Sequence, residues 1–504
     1  MLLSLGVLSS LSLPPINFFF INFFTFSFFF IFLFKKLKTQ NSKKIFFIYG
    51  WLFGFGYFLT NLYWITISLS FDENFNFLIP IALVLIPAFL SLFYGLITLF
   101  FYLAKVKSLI SAFFLFSLLF GLIEFVRGNI LTGFPWNLII YSLSKNLSLV
   151  SFISLIGTYS FNLLLISLFS APALLILRKS KKEILIFIVF LLMPFIFFTY
   201  GEFYKQKFLE LKIEENPMII RAIGSNISLD RYYVNTSTDT TLKELIELSS
   251  PDKDKKIFFL WPEGIVPNTY QDELILYKKI FQENFNENHL IALGITSRLE
   301  NENEYEYFNS FSIFDSKLNL INNYDKINLV PFGEFLPAEK FFRKIGLKII
   351  TNNISSYSKG SKRKIIKIDN NFVTFKFLPL ICYEIIYTGK LSKNFNYNFI
   401  LNISEDGWFG KSIGPKQHFA HSIFRAIETG KYVVRSANNG MAAVINPLGE
   451  IEQKIDYGKA GFIDFERRRD VDTTFFSVYG NKIFVILILL YIFLIFSFKR
   501  SQNE

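Results

Sequence analysis

The stretch Leu378-Pro379-Leu380-Ile381-Cys382-Tyr383-Glu384 joins an apolar run to the only cysteine of the chain and then to a carboxylate. The run from Thr374 to Ile381 is rich in β-branched and aromatic residues, which predicts a buried strand. A thiol at the exposed tip of such a strand is held rigidly, as a nucleophile requires. A lone cysteine is more often a small buried hydrophobe, so this stretch alone leaves both interpretations open.

The composition is that of a membrane protein with more than one domain. Hydrophobic residues make up 52% of the 504 residues, charged residues make up 18%, and the mean hydropathy is +0.38. This balance is too apolar for a soluble enzyme. The 66 phenylalanines occur mostly in runs with Ile and Leu, which indicates lipid-facing helices and not a surface for stacking nucleic acid bases.

Apolar segments predict about eight membrane spans. They lie at residues 1–13, 16–34, 45–69, 78–103, 108–125, 147–177, 184–200 and 482–498. No basic segment precedes the first of them and further spans follow, so a signal peptide is not expected. The sequence therefore predicts a polytopic α-helical membrane domain over residues 1–200. It also predicts a C-terminal transmembrane helix with a cytoplasmic tail over residues 482–504.

Lysine and arginine alternate between the predicted loops. They cluster near residues 35–44, 105–107, 178–182 and 499–500, and the intervening loops are poor in both. The positive-inside rule then places the basic loops and both termini in the cytoplasm. The formal net charge of +12 follows largely from this topology, so a nucleic acid partner is not needed to explain it. Residues 201–481 form an extracytoplasmic domain, which with one cysteine has no internal disulfide.

Predicted strands and helices alternate in this outer segment, as in an α/β layered domain. Strands are predicted at residues 256–261, 290–296, 307–314, 372–382, 399–403, 432–437 and 441–445. Helices are predicted at residues 272–287 and 415–429. A domain of this length can supply its own hydrophobic core.

Two further stretches place ionisable residues near strand ends. Glu263 follows a strand that Pro262 stops, and Lys326 precedes Glu334 by eight residues. Each alone is more typical of a turn or of a solvated residue. Together with Cys382 they form a candidate reaction centre, in which the carboxylate takes the thiol proton. The ammonium would favour the thiolate and stabilise an oxyanion.

The combination of Trp261-Pro262-Glu263, Lys326 with residues 330–335 (VPFGEF), and Cys382-Tyr383-Glu384 resembles the nitrilase (carbon–nitrogen hydrolase) superfamily. With spans on both sides of the outer domain, the whole chain resembles the apolipoprotein N-acyltransferase family of bacterial cytoplasmic membranes. Further support comes from residues 404–410 (SEDGWFG), 414–418 (GPKQH), 425–428 (RAIE) and 435–440 (RSANNG). The resemblance spans nearly the full length and implies a nitrilase-like α-β-β-α sandwich for the outer domain.

The resemblance also implies residue roles. Glu263 is the general base, Lys326 the cation that stabilises the oxyanion, and Cys382 the nucleophile. Three supporting positions match residues that the family needs around this triad: Glu334, Tyr383 and Glu384.

Two positions depart from the family pattern. Glu405 stands where the family commonly has asparagine, which puts the local hydrogen bonding in question, and Tyr233 loosely aligns with an early tryptophan.

The implied reaction is a two-step acyl transfer. Cys382 takes an acyl chain from a membrane phospholipid as a thioester, and the α-amine of a diacylglyceryl-cysteine lipoprotein then accepts it. The resemblance implies no cofactor and no metal, a monomer embedded in the inner membrane, and a catalytic domain on the periplasmic or outer side. Because the chain has only three histidines, a metal site at His418 and His421 is not expected.

Three alternatives remain open. The same triad would serve a membrane-tethered amidase or nitrile hydrolase, in which water resolves the acyl-enzyme. A non-catalytic scaffold of the envelope is disfavoured by the intact triad. The motif from Glu124 and Arg127 to Trp136 is either a structural pair with an interfacial anchor, or the mouth through which a lipid reaches the outer domain.

Overall fold

The computed structural model describes residues 1–232, 237–266, 268–301, 304–337, 356–370, 373–391 and 396–500. Its N-terminal part is helical. The α-helices are Leu2–Ser10, Ile21–Thr39, Lys43–Leu62, Ile79–Leu103, Leu109–Arg127, Leu147–Val150, Ile153–Ser170, Pro172–Leu177 and Lys181–Glu210. Short 3-10 helices lie at Tyr63–Phe71, Glu73–Leu78 and Ile139–Leu143.

Among the described residues, 6 helical segments are long and apolar enough to cross a membrane. Five precede the outer domain and one follows it: Lys43–Phe71, Glu73–Leu103, Leu109–Arg127, Ile153–Leu177, Lys181–Glu210 and Lys482–Lys499. They correspond to six of the predicted spans. The chain is therefore a membrane protein with such helices on both sides of an α/β domain, the one that the sequence predicts to lie outside the cytoplasm.

The first two predicted spans fall on helices that are not among these six segments. Leu2–Ser10 has 9 residues, and at about 1.5 Å per residue it is too short to cross a bilayer core of about 30 Å. Ile21–Thr39 has 19 residues, but Lys35, Lys36 and Lys38 occupy its C-terminal end. The total of eight spans stays a prediction.

The outer domain contains β-strands that we number in chain order. They are β1 Ile213–Ser225, β2 Ile257–Leu260, β3 His289–Asn301, β4 Glu304–Asp315, β5 Leu320–Asp325, β6 Ile366–Asn370, β7 Val373–Ile381, β8 Phe399–Glu405, β9 Tyr432–Asn438, β10 Ala442–Ile445, β11 Ile451–Ile455 and β12 Gly461–Arg469. Its helices are Leu229–Tyr232, Thr238–Ser249, Gln271–Tyr277, Lys278–Asn284, Cys382–Ile386, Gly407–Phe409, Gly414–Thr429 and Phe475–Tyr479, and Lys482–Arg500 follows.

The strands form two sheet halves joined at one seam. Hydrogen bonds order the strands as β5-β4-β3-β2-β1-β9-β8-β7-β6, with β12 on β1, β10 on β9 and β11 on β10. At the seam, β1 and β9 share only the pairs Gly224–Ala437 and Ser225–Asn438. The halves face each other, since the rings of Phe258 in β2 and Phe377 in β7 lie 5.8 Å apart between centroids.

Alternate residues along a strand belong to two different cores, an inner one between the sheet halves and an outer one between a sheet half and its helices. Phe258 and Leu260 of β2 join the core between the halves, whereas Ile257 and Phe259 pack with the helices Thr238–Ser249 and Lys278–Asn284. Burying each such side chain contributes about 1.5–3 kcal/mol. This arrangement is the α-β-β-α sandwich that the resemblance implied.

The outer face of the second half also joins the two domains. Leu378 and Leu380 of β7 share one apolar cluster with Phe424 of helix Gly414–Thr429 and with the membrane helices. Buried hydrogen bonds cross the same boundary: the Trp136 indole N–H donates to Gln417 Oε1 at 2.9 Å, and the Thr158 amide donates to Glu428 Oε1 at 2.9 Å. The strand that leads to Cys382 thus belongs to the same apolar cluster as the membrane helices, and helix Gly414–Thr429 is hydrogen-bonded to them.

Candidate active site

Glu263 lies in the turn that ends β2, where the sequence predicted it. Pro262 cannot donate a ladder hydrogen bond and stops the strand. Gly264 then has a φ of +54°, a left-handed conformation that glycine adopts without strain. Gly294 of β3 lies under the turn, and a Cβ there would come within 2.4 Å of the Glu263 Cα. Pro262, Gly264 and Gly294 therefore fix the position of the Glu263 backbone.

Lys326 follows β5 and joins two of the predicted carboxylates. Its Nζ donates to Glu263 Oε1 at 3.0 Å and to Glu334 Oε1 at 2.9 Å, with the lysine side chain only 1% exposed. Burial alone would lower the pKa of Lys326, but the charges of Glu263 and Glu334 outweigh it and raise this pKa well above its usual value. The two carboxylates therefore favour the charged ammonium, and these bonds use two of its three N–H donors.

Asn309 of β4, which the sequence analysis did not single out, holds this cluster together. Its Nδ2 donates to Glu263 Oε1 at 2.8 Å and to Glu334 Oε1 at 2.6 Å, and its backbone carbonyl accepts from the Lys326 amide at 2.9 Å. An asparagine in a polar strand carries no motif of its own. The pairing of β4 with both β3 and β5 brings it to the site.

Cys382 lies directly after β7, so the C-terminal end of the strand lies one residue earlier than predicted. The residue begins the 3-10 helix Cys382–Ile386 and has a φ of +46°, which is a strained conformation for a residue with a Cβ. The thiol was expected at an exposed strand tip, but the residue is only 7% exposed. The apolar strand and the helix Gly414–Thr429 enclose it.

Burial and nearby charges disfavour the thiolate form of Cys382. Burial raises its pKa well above the usual value, and the negative charge of Glu263 raises it further, whereas the Lys326 ammonium lowers it. A buried thiol in this balance needs a base to remove its proton. The structure thus places Glu263, Lys326, Glu334 and Cys382 in one electrostatic group.

Glu384 is fully buried and connects the cysteine segment to the lysine segment. Its Oε2 accepts from the Ile381 amide at 3.0 Å, and its Oε1 accepts from the Ile327 amide at 3.0 Å. The Tyr324 hydroxyl and the Arg363 guanidinium also donate to this carboxylate, at 2.9 Å and 3.2 Å from Oε1. Glu384 therefore positions the backbone beside both Lys326 and Cys382.

Tyr383 faces the membrane domain. Its hydroxyl donates to the carbonyl oxygen of Gly133 at 3.0 Å. The loop that carries Gly133 is held by the buried ion pair between Glu124 and Arg127, and Arg127 Nη1 also donates to the carbonyl of Phe134. The motif thus contains a structural ion pair, and its loop reaches the residue next to the thiol.

Glu405, the first departure, has its own set of partners. Its Oε2 accepts from Arg231 Nη2 at 2.6 Å and from Asn438 Nδ2 at 2.7 Å, and its Oε1 accepts from the Gly407 amide at 2.8 Å. Burial raises the pKa of Glu405, and Arg231 opposes this shift. The second departure, Tyr233, lies outside the described residues.

His418 belongs to a buried polar cluster behind Cys382. Its Nδ1 lies 2.9 Å from Asp406 Oδ1, and its Nε2 lies 3.3 Å from the Cys382 carbonyl oxygen. Burial lowers the pKa of His418, whereas Arg435 and His418 together hold the pKa of Asp406 below its usual range. His421 packs between the rings of Trp136 and Tyr141. The described residues contain no group of three or more His, Cys, Asp or Glu placed to hold a metal ion.

This geometry can perform nucleophilic acyl chemistry. A carboxylate, an ammonium and a thiol are gathered in one buried place, beside a loop of the membrane domain. The carboxylate can accept the thiol proton, and the ammonium can stabilise the oxyanion that forms when the thiolate attacks a carbonyl.

Comparison with known proteins identifies both parts of the chain. The family model described as "Apolipoprotein N-acyltransferase N-terminal domain" matches residues 5–171, and the one described as "Carbon-nitrogen hydrolase" matches residues 260–470. The apolipoprotein N-acyltransferase of Agrobacterium fabrum is 31% identical over 528 aligned positions, covering 100% of this chain and 97% of the relative. That of Rhodopseudomonas palustris is 30% identical and covers 99% and 95%.

Among solved structures, part of this chain is similar to a mutant amidase from Nesterenkonia sp. AN1. The amidase was solved with the acetamide moiety of fluoroacetamide added covalently at its active site cysteine. The alignment has a TM-score of 0.35 and 10% identity, and it covers 54% of this chain and 96% of the amidase.

Proposed function

Because the chain belongs to the apolipoprotein N-acyltransferase family and is an acyltransferase of lipoprotein maturation, we propose that Cys382 carries the acyl chain as a thioester. The observation that supports this most directly is the buried group formed by Glu263, Lys326 and Cys382. In this proposal Glu263 is the general base, Lys326 stabilises the oxyanion and Cys382 is the nucleophile.

The first half-reaction acylates the enzyme. Glu263 takes the proton from Cys382 Sγ, and the thiolate attacks the ester carbonyl carbon of a phospholipid. Lys326 stabilises the tetrahedral oxyanion. When the intermediate collapses, the ester C–O bond breaks, the lysophospholipid oxygen takes the proton back from Glu263, and the thioester remains on Cys382.

The second half-reaction transfers the acyl chain to a lipoprotein. The free α-amine of a diacylglyceryl-cysteine attacks the thioester carbonyl, and Glu263 accepts a proton from the attacking nitrogen. Collapse breaks the C–S bond and forms the amide, and the leaving thiolate of Cys382 takes the proton back from Glu263. Glu334 and Glu384 position the charged groups and the backbone around this chemistry, and Tyr383 orients the site against the membrane part.

The proposal includes the setting of the reaction. We propose that the protein is a monomer in the bacterial inner membrane, as the family resemblance implies. We place the outer domain on the periplasmic side, since lysine and arginine cluster in alternate loops. The contact between Tyr383 and Gly133 supports access of a membrane lipid to the site, because it brings the residue beside the thiol to the membrane domain.

A decisive experiment is intact-mass analysis of the detergent-purified protein after incubation with phospholipid alone. We expect a long-lived acyl adduct that hydroxylamine removes, because the apolar, enclosed surroundings of Cys382 exclude water. A diacylglyceryl-cysteine peptide with a free amine should discharge it, and the same peptide with an acetylated amine should not. The Cys382→Ala protein should carry no adduct. Rapid release of free fatty acid without any peptide would favour the amidase-like hydrolase.

A further inference from the structure

Arg231 and Glu405 form a buried ion pair beside the proposed base. Arg231 Nη2 lies 2.6 Å from Glu405 Oε2, and both side chains are 2% exposed. Asn438 fixes this arrangement, because its Nδ2 donates to Glu405 Oε2 at 2.7 Å and its Oδ1 accepts from the Ile227 amide at 2.9 Å. The pair therefore joins the segment before Arg231 to the end of β8.

The pair contacts the Glu263 turn from two sides. The backbone amide of Glu405 donates to Glu263 Oε2 at 3.0 Å. On the other side, Arg231 Nη2 lies 3.4 Å from the Gly264 carbonyl oxygen, which also accepts from the Tyr232 hydroxyl. The backbone of one partner thus binds the Glu263 carboxylate, and the side chain of the other contacts the carbonyl of the next residue, Gly264.

Stability alone does not account for an ion pair in this position. Desolvating two charges costs several kcal/mol, so a buried pair is often no more stable than a pair of apolar residues. Removing one partner leaves a buried uncompensated charge, and here that charge would act on Glu263. As a pair, the two side chains add no net charge to the site.

We propose that Arg231 and Glu405 are positioning residues, whose matched charges hold Glu263 in place and set the pH range in which it accepts the Cys382 proton. This inference deepens the proposed function and rests on Glu263 being the base. Ionisable groups that face Glu263 from the surrounding elements share this effect: Tyr232, Lys326, Glu334, Tyr357, Cys382, Arg231 and Glu405.

The rate of Cys382 acylation should fall at low pH, where Glu263 becomes protonated, and we call this part of the pH profile the acid limb. Removing Arg231 and removing Glu405 should move this limb in opposite directions. Arg231→Met leaves the Glu405 charge uncompensated, which disfavours the ionised form of Glu263 and moves the limb to higher pH. Glu405→Gln leaves Arg231 uncompensated and moves it to lower pH. Each shift should be on the order of one pH unit. The double variant should return close to the wild-type profile, and Arg231→Lys should shift less than Arg231→Met.

The experiment measures the rate at which phospholipid acylates Cys382 across pH, by intact mass, in full-length protein. Arg221→Met is the matched control, because Arg221 pairs with Asp464 at 2.7 Å in the same domain, between β1 and β12. It should lower the thermal midpoint without moving the acid limb. Size-exclusion chromatography and thermal unfolding identify variants that fail to fold, and for these the double variant and Arg231→Lys supply the test.

The outcomes separate the inference from the function on which it rests. Opposite shifts that cancel in the double variant support the positioning role. Equal losses of rate in both single variants, with an unmoved acid limb, would overturn it and leave the pair purely structural. If wild-type protein forms no Cys382 adduct, or Glu263→Gln forms it at the wild-type rate, the proposed function itself fails.

Discussion

The Tyr383 hydroxyl donates a hydrogen bond of 3.0 Å to the backbone carbonyl of Gly133, so the residue after Cys382 is attached to the membrane domain. Tyr387 adds a second attachment, since its hydroxyl lies 2.8 Å from the Thr132 carbonyl and 3.3 Å from that of Gly133. The two tyrosines share one acceptor. The position of the thiol is therefore coupled to a loop at the end of a membrane helix.

Removing these hydroxyls should show how much the attachment matters. In Tyr383→Phe or Tyr387→Phe, the remaining tyrosine still binds Gly133, so we expect each to slow acylation of Cys382 by less than about tenfold, the scale of one neutral hydrogen bond. The double variant should lose more than the product of the single effects. The rates of acyl-adduct formation in the wild type, the two single variants and the double variant form a double-mutant cycle. Strictly multiplicative effects would show that the two attachments act independently.

Substitutions of Glu263 and Lys326 should impair the reaction in different ways if the proposed roles of these residues are right. Glu263→Gln keeps the shape of the side chain but cannot accept the thiol proton, so acylation should fall to background while the protein stays folded. Lys326→Ala should slow both half-reactions by about 10²–10³-fold, the usual effect of losing one oxyanion stabiliser. Rates of adduct formation and of discharge by a lipopeptide measure the two steps separately.

Glu273→Gln provides a matched control for those variants. Glu273 also pairs with a cation, Arg298 at 2.9 Å, but it lies on the 3-10 helix Gln271–Tyr277 outside the site. It should acylate at the wild-type rate. Normal adduct formation in Glu263→Gln or in Lys326→Ala would contradict the role assigned to that residue.

The sequence predicted the strands that carry chemistry because their apolar runs are long and end in proline or polar residues. β2, β7 and β8 lie within two residues of their predicted bounds, and helix Gly414–Thr429 begins one residue earlier than expected. β1 was not predicted, because its first residues, 213–217 (IEENP), are mostly charged or polar and end in proline. Pairing with β12, more than two hundred residues later, makes this segment a strand.

Residues of the site could be predicted only where they lie in a recognisable sequence motif. Glu263, Lys326, Glu334 and Cys382 follow from motifs, and the structure brings them together. Asn309 and Arg231 have no motif, because their importance comes from strand pairing and from a contact between distant segments. The burial of Cys382 was also missed, since nothing in a strand end indicates that a distant helix will lie against it.

Glu384 should matter first for stability. Glu384→Gln removes the charge opposite Arg363 and places an N–H₂ group where the carboxylate accepted from backbone amides. Breaking a buried pair in this way costs about 3 kcal/mol or more, so the thermal midpoint should fall clearly. Asp369→Asn removes an exposed partner of Lys367 and should change the midpoint little. Equal midpoints for the two variants would contradict the anchoring role of Glu384.

The proposed orientation predicts which residues an impermeant thiol reagent reaches in intact cells. Lys179 lies in an exposed basic loop between two membrane helices, and Lys317 lies in the exposed turn between β4 and β5. In a Cys382→Ala background, Lys317→Cys should be labelled and Lys179→Cys should be labelled only after the membrane is opened. The opposite pattern would reverse the orientation and place the outer domain in the cytoplasm.

Alkylation of Cys382 separates the two effects that Glu263 has on the thiol. The pKa of Cys382 is raised by burial and by the Glu263 charge and lowered by Lys326, so the rate of iodoacetamide alkylation should keep rising with pH beyond neutrality. Glu263→Gln removes a charge that opposes the thiolate, so this variant should alkylate faster than wild type at alkaline pH although phospholipid no longer acylates it. Lys326→Ala should alkylate more slowly, because the thiolate loses its nearby cation. Peptide mass spectrometry measures both rates. A plateau near neutral pH in wild type would mean that the thiolate exists at rest, and it would remove the need for Glu263 as a base.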